Sequence, residues 1–442
     1  MVKVITYGSF DLLHFGHIRL LERAKALGDH LIVGVTSDDY ELSRGKINVR
    51  QSLMERVAAV SALGLADEVI VEEHEGQKID DIRKYGVDIF AIGSDWSGKF
   101  EYLEEYCQVV YLPRTDGVSS SEIRASRHKI RIGLIGEKDC DLTSIAKFLR
   151  ETPYVNGVEI VGADIPIKGI SLLEKDTLME SVDAVYVTSH PSQHYSDTKS
   201  ALLRGKHVLC ESPVALSVEQ YRELRDLAAQ NKCTLMEGIK TAYMTGFERL
   251  ISLAKTGIIG EVISVDAICT SRKPLQKYSP EEMKRNWNTI TEWGPVALLP
   301  VFQLLGTQYV KKHIVTQWAD ENARFDRFTK IDFLYPNAVA SIKVAKGIKS
   351  EGELVISGTE GYLYVPAPWW KTDYFEARFE NPADNKRYFY QLDGEGIRYE
   401  ILSFVKSIEN KTEIVGVSEE ISEAIAAVME SYFKSEHTDV IA

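Results

Sequence analysis

The stretch Val4-Ile5-Thr6-Tyr7-Gly8-Ser9-Phe10-Asp11-Leu12-Leu13-His14-Phe15-Gly16-His17 decides how the start of this chain is read. Val2 to Tyr7 is short, apolar and β-branched, the pattern of a buried strand. Gly8 breaks it, and a helical pattern begins near Ile18. His14 and His17 stand three residues apart, which puts both imidazoles on one side of an incipient helical turn. The free N–H groups and positive dipole end of that turn point the same way, so the junction suits an anion. Gly8 and Gly16 let a phosphate approach backbone that a Cβ would shield. The chemistry implied is phosphate handling, with two imidazoles placed to stabilise charge that builds up during transfer. Taken as four residues alone, His14 to His17 reads equally as a polar helix cap.

The chain has 442 residues, too many for one ordinary domain. An apolar content of 44%, with 26% charged residues, describes a globular protein. A net charge of −13 argues against a general nucleic-acid or anionic-membrane binder. The cysteines, Cys107, Cys140, Cys210, Cys233 and Cys269, are odd in number and none forms a C-x-x-C pair. Reduced thiols in the cytoplasm, with neither a disulfide framework nor a protein-held metal, are therefore expected. The sequence reads without a signal peptide, and no apolar run reaches the roughly 18 residues that span a bilayer.

Beyond the histidines, Leu20, Leu21, Ala24 and Leu27 recur at helical spacing, with Gly28 read as the C-terminal cap. A strand follows over residues 30–36, then a basic loop, Leu42-Ser43-Arg44-Gly45-Lys46, whose lysine can reach over bound phosphates. Residues 53–63 read as a helix bearing Arg56. Strand, helix and strand then succeed one another over 68–71, 79–85 and 88–92. This alternation predicts a parallel sheet with crossover helices, and ligands at the carboxyl ends of its strands. Gly93-Ser94-Asp95-Trp96 lies at such an end: Asp95 can accept from a base amine or a sugar hydroxyl, and Trp96 can either stack on a ligand or pack in the core. After a last strand over 109–112 comes Pro113-Arg114-Thr115-Asp116-Gly117-Val118-Ser119, with Ser119 and Glu122 at capping-box spacing. Arg114 offers a planar charged fork for phosphate oxygens.

Together these motifs, over about residues 1–126, resemble the nucleotidyltransferase superfamily, and within it the glycerol-3-phosphate cytidylyltransferases. The resemblance implies that His14, His17, Lys46 and Arg114 hold the triphosphate and stabilise transfer of its α-phosphoryl group, with Thr115 and Ser119 beside them. It further implies that Gly8, Ser9, Phe10, Asp11, Arg56, Asp95 and Trp96 bind the nucleoside or the acceptor. Gly64 stands where glycerol-phosphate members carry an arginine, which points to a different or larger acceptor. CTP, Mg²⁺ and a polyol phosphate are the implied substrates and cofactor; ATP in place of CTP is the weaker alternative, since the superfamily uses both.

A short linker leads into a second strand–helix series at Ile130, so the two halves are expected to pack together. Strands are read over 130–135, 158–162 and 184–188, with Asp164 closing the second, where a Rossmann fold holds a ribose diol. The segments Thr188-Ser189-His190-Pro191-Ser192-Gln193-His194, Gly205-Lys206-His207-Val208-Leu209-Cys210-Glu211-Ser212-Pro213 and Gly257-Ile258-Ile259-Gly260-Glu261-Val262 resemble the Gfo/Idh/MocA family of NAD(P)-dependent sugar and polyol oxidoreductases. That resemblance implies an NAD(P) site built from Gly136, Asp164, His190, Pro191, His194, Glu211 and Pro213. The chain departs from the family in Glu137 and Lys138, where glycine-rich backbone should meet a pyrophosphate. Ser212 replaces the lysine of E-K-P, and Pro300 and Leu304 replace an Asp and a His. Lys240 can substitute as a proton donor or be an ordinary surface lysine.

The expected architecture is α/β: a Rossmann-like nucleotidyltransferase domain over 1–128, a Rossmann domain over 129–243, and an α/β domain with an open, mostly antiparallel sheet over 244–442. The expected activity joins CTP and a polyol phosphate into a CDP-polyol and pyrophosphate, for a cell-surface or teichoic-acid-like polymer. The second half is then a binding or assembly module, or, alternatively, an active reductase that supplies the polyol phosphate. A homodimer or higher homo-oligomer is expected.

Overall fold

The computed structural model describes residues 1–43, 49, 51–74, 76–113, 129–137, 142–390, 392–410 and 416–441. Two compact units form, Met1–His128 and Lys129–Ala442. Residues 114–128, where the linker was read, lie outside the described residues, as do Lys46, Arg114, Thr115, Ser119 and Lys138.

The first unit is one parallel sheet of β1 (Lys3–Gly8), β2 (His30–Thr36), β3 (Glu68–Glu72), β4 (Ile89–Gly93) and β5 (Gln108–Leu112), ordered β3-β2-β1-β4-β5. Side chains alternate across each strand. Val4, Leu31, Val33 and Val35 meet Leu21, Ala24 and Val60 on one face, while Ile5, Tyr7, Ile32 and Phe90 meet Ile82 and Leu103 on the other. Both faces are thus covered by helices, as parallel sheets require.

Several local expectations are corrected. The first helix spans Phe15–Lys25 and so starts at the histidines rather than at Ile18. It closes at Ala26, and Gly28 is a packing glycine: a Cβ there would lie 2.6 Å from the Val2 carbonyl oxygen. Leu42 and Ser43 end a helix, Asp38–Ser43, instead of opening the loop.

The second unit begins with a parallel sheet of β6 (Ile130–Ile135), β7 (Val158–Ala163), β8 (Ala184–Val187), β9 (His207–Glu211) and β10 (Leu235–Gly238), ordered β10-β9-β8-β6-β7. A larger sheet follows, built from β11 (Val262–Thr270), β12 (Lys311–Asp320), β13 (Phe325–Leu334), β14 (Val339–Ala345), β15 (Leu354–Gly358), β16 (Gly361–Val365), β17 (Tyr374–Phe379), β18 (Lys386–Phe389) and β19 (Thr438–Val440). Its order is β18-β17-β16-β15-β11-β14-β13-β12-β19; the β11–β14 and β12–β19 pairs are parallel and the rest antiparallel. The helix Thr289–Leu305 covers β11, β13 and β14, and Phe302 meets Phe333 edge to face at 6.0 Å. No helix among the described residues is long and apolar enough to cross a membrane.

Candidate active site and a second cavity

In the first unit the strand order reverses between β1 and β4, so the segments leaving their carboxyl ends lie side by side. From β1 come Gly8 to His17; from β4 come Gly93 and the short turn Ser94–Trp96.

The loop after β1 is bent through left-handed backbone at Phe10 and Leu12, both with φ of +50°. Such conformations cost about 1–2 kcal/mol each for residues with a Cβ, so something must hold them. Asp11, 1% exposed, accepts from the Gln51 amide N at 3.0 Å, and Gln51 Oε1 accepts from the Leu12 amide at 2.7 Å. Arg56 lies beneath the loop with no exposed side-chain surface. It donates to Ser9 O at 2.6 Å, Thr36 O at 2.8 Å, Gln51 O at 3.1 Å and Asp38 Oδ1 at 2.5 Å. The expectation that Arg56 touches nucleotide or acceptor is therefore corrected: its guanidinium is spent on protein acceptors, and it positions Ser9 and the loop. Gln51 was missed by sequence reading, because nothing local marks a glutamine as a clamp on a loop 40 residues earlier.

His14 caps the helix Phe15–Lys25, its Nδ1 accepting from the Gly16 amide at 3.1 Å. An accepting Nδ1 places the neutral ring's proton on Nε2. The His14 and His17 rings stack with centroids 3.8 Å apart, and Phe10 meets His17 edge-on at 5.6 Å. The spacing of the motif thus becomes a stacked imidazole pair at a helix N-terminus with no acidic residue in its first turn. At the other end of this helix Arg23 donates to Pro113 O at 2.5 Å, which anchors the residue before Arg114 to the helix that carries His17. Asp95 is exposed, whereas Trp96 is half-buried and packs on the edge of the core against Phe100 at 5.9 Å, with Lys99 Nζ over its ring at 5.1 Å. Gly64 has φ of +66° and open space around it.

In the second unit the strand order reverses between β6 and β8. The residues read as a dinucleotide site are linked in pairs here: Gly136 with Asp164, and His194 with Pro213. His194 is fully buried, with Nδ1 2.8 Å from Pro213 O and Nε2 2.7 Å from Ser189 O; burial pulls its imidazole down to about 4. Both ring nitrogens thus face backbone carbonyls of two turns, and the ring meets Trp287 edge-on at 5.3 Å. His190 caps the helix Pro191–Leu203 through the Ser192 amide. Asp164 spends Oδ1 on the Gly136 amide at 3.0 Å, and a Cβ on Gly136 would stand 2.4 Å from Ile165. Glu137 accepts from the His190 amide at 3.3 Å, so a carboxylate sits at the switch point. A dinucleotide pyrophosphate bound at this switch point would face that carboxylate.

Glu211, Ser212 and Lys240 do converge, with Thr188, on a cavity of about 540 Å³. The reading of Lys240 as a surface lysine is corrected: burial lowers its ammonium, and it lines this cavity. Tyr186 donates to Glu211, and burial raises that carboxyl; burial, and then the charge of Glu211, raises Glu400 still further.

Comparison with known proteins follows the two units. Residues 5–126 match the cytidylyltransferase-like family, and residues 148–239 match the oxidoreductase family with an NAD-binding Rossmann fold. Over 124 residues the chain is 52% identical to glycerol-3-phosphate cytidylyltransferase of Bacillus spizizenii, covering 28% of this chain and 95% of that protein. The corresponding enzyme of Staphylococcus aureus is 43% identical over 124 residues, 93% of its length. By fold, the chain is similar to KijD10, a 3-ketoreductase from Actinomadura kijaniata solved with NADP and TDP-benzene. That likeness has a TM-score of 0.60 at 16% identity and covers 71% of this chain and 100% of the other.

Proposed function

Because the chain belongs to the cytidylyltransferase-like family through residues 5–126, we propose that it transfers the cytidylyl group of CTP to the phosphate of a small polyol phosphate, giving a CDP-polyol and pyrophosphate. The observation that carries this reading is the stacked His14–His17 pair at the helix N-terminus after β1; Asp95 follows the neighbouring strand β4 across the sheet's switch point. A phosphate oxygen of the acceptor attacks the α-phosphorus of CTP. The bond from that phosphorus to the bridging oxygen breaks, and pyrophosphate leaves with the electron pair. His14 donates from Nε2 to phosphate oxygen, and His17 beside it shares the charge that develops in the transition state. Lys46, Arg114, Thr115 and Ser119 hold the triphosphate, and Asp95 meets the ribose or acceptor hydroxyls; Mg²⁺, if bound with CTP, would supply neutralisation of the triphosphate's charge. The product suits a cytoplasmic step that feeds a polyol-phosphate polymer of the cell surface.

Pyrophosphate release measured over a panel of nucleotides and acceptors tests this. Release is expected with CTP and glycerol 3-phosphate or a longer polyol phosphate. Turnover confined to ATP with an adenylyl acceptor would overturn it.

The domain boundaries proposed for the second unit are 129–243 and 244–442. This unit keeps a Rossmann fold, yet weak binding of NAD(P) is expected of it. Glu137 would face an anionic ligand, and Asp164 is engaged by Gly136. Calorimetric titration of the whole chain with NADH and NADPH should give no micromolar dissociation constant. Should one appear, the alternative holds: a reductase that supplies the polyol phosphate, with Lys240 as proton donor to the carbinol oxygen.

A further inference from the structure

Among the described residues, the second unit's cavity is lined by six cationic side chains, Lys147, Lys240, Lys273, Arg285, Lys346 and Lys371, against three carboxyls, Glu211, Glu292 and Glu400. In a chain of net charge −13 this concentration of cations has no counterpart in the composition. Two of the carboxyls are raised by burial and so hold protons to higher pH than exposed acids do.

Three of the lysines converge on one acid. Glu395 lies 2.8 Å from Lys371, 3.1 Å from Lys147 and 3.3 Å from Lys240. Burial alone would raise this carboxyl, but the hydrogen bonds from Lys371 and Lys147 and the charge of Lys240 bring it down to about 2. The backbone that delivers it is unusual: Gly394, Glu395 and Gly396 have φ of +60°, +53° and +88°. A left-handed glutamate between two left-handed glycines is a strained way to place a carboxylate. One carboxylate leaves three ammonium groups in excess of positive charge, and a phosphate monoester, with up to two negative charges and three acceptor oxygens, matches them better.

We propose that this cavity binds the phosphate monoester of a short polyol or keto-polyol, its phosphate seated among Lys147, Lys240 and Lys371, where Glu395 stands as the internal stand-in. The hydroxylated chain then lies toward Trp293 and Trp370, whose rings meet edge to face at 4.8 Å, and toward the Trp293 indole N–H, buried without a hydrogen-bond partner. The ligand is thereby of the same class as the acceptor of the first unit, although the argument rests on the second unit alone and needs no dinucleotide.

Calorimetry of the full chain with glycerol 3-phosphate and with dihydroxyacetone phosphate tests it, with glycerol as the unphosphorylated control. The double variant Lys147→Met/Lys371→Met should lose one site per chain, weakened at least tenfold, with pyrophosphate release by the first unit unchanged. Glu395→Gln, which keeps the size of the side chain, should tighten the same site several-fold. Isotherms unaltered by Glu395→Gln would overturn the proposal even if the double variant fails to fold. So would saturable binding of CDP-glycerol at this site without binding of either monophosphate. Loss of pyrophosphate release in the unsubstituted chain, by contrast, would bear on the transferase reading only.

Discussion

Replacing His17 by alanine is expected to lower kcat for cytidylyl transfer by about 10²-fold or more, the usual cost of removing one preorganised donor to a charged transition state. The helix should persist, because alanine is the best helix former and the cap is supplied by His14 rather than His17. Two effects combine in the loss. The imidazole itself goes, and His14 loses the ring stacked on it at 3.8 Å, so its own orientation loosens. A variant of each histidine and the double variant, compared by pyrophosphate release, should show strong non-additivity, as expected of groups that act as a unit. KM for CTP should move much less than kcat. Turnover within a factor of a few of the unsubstituted chain would remove the pair from the chemistry.

Arg56→Met should destabilise the first unit by several kcal/mol, about 1–3 kcal/mol for each buried acceptor left without its donor. Little of that loss comes from the pair with Asp38, whose side chain is 47% exposed and so well screened. Most comes from the carbonyls of Ser9, Thr36 and Gln51, which lose their donor in or near the core. Chemical denaturation of the first unit's transition measures it. Activity should fall even in the fraction that stays folded, since Ser9 and the left-handed residues Phe10 and Leu12 lose the guanidinium beneath them. Arg56→Lys should recover only part, because one ammonium cannot reach acceptors arranged around a planar fork. A loss below about 1 kcal/mol would mean that solvent replaces Arg56 without cost.

The parallel sheets were legible because strand and helix periods alternate cleanly along the chain. The strand over 30–36 was read to the residue, and so was that over 130–135. Strands β12 and β13 were not legible, since their inward positions carry polar residues: Thr316 and Thr329 bond each other at 2.9 Å and Asp326 accepts from Thr329 at 2.5 Å. A hydrophobic alternation interrupted by satisfied polar pairs gives no period to read. In the first site the histidines could be found by spacing, but the clamp formed by Gln51 and Arg56 could not, because it joins residues about 40 apart that share no motif. The same holds for Glu395, which meets Lys147 across some 250 positions.

The nine-stranded sheet ends in two unlike borders, and both bear on how copies of this chain behave when crowded. On one side β18 presents Lys386 and Arg387, both exposed. On the other, β19 is only Thr438–Val440 in length, too short to template a long partner strand. A neighbouring chain that tried to extend the sheet would set like charges against each other at the first border and find few open amides at the second. Sheet-to-sheet polymerisation, the common hazard of a wide antiparallel layer, is opposed at each end by composition at one and by brevity at the other.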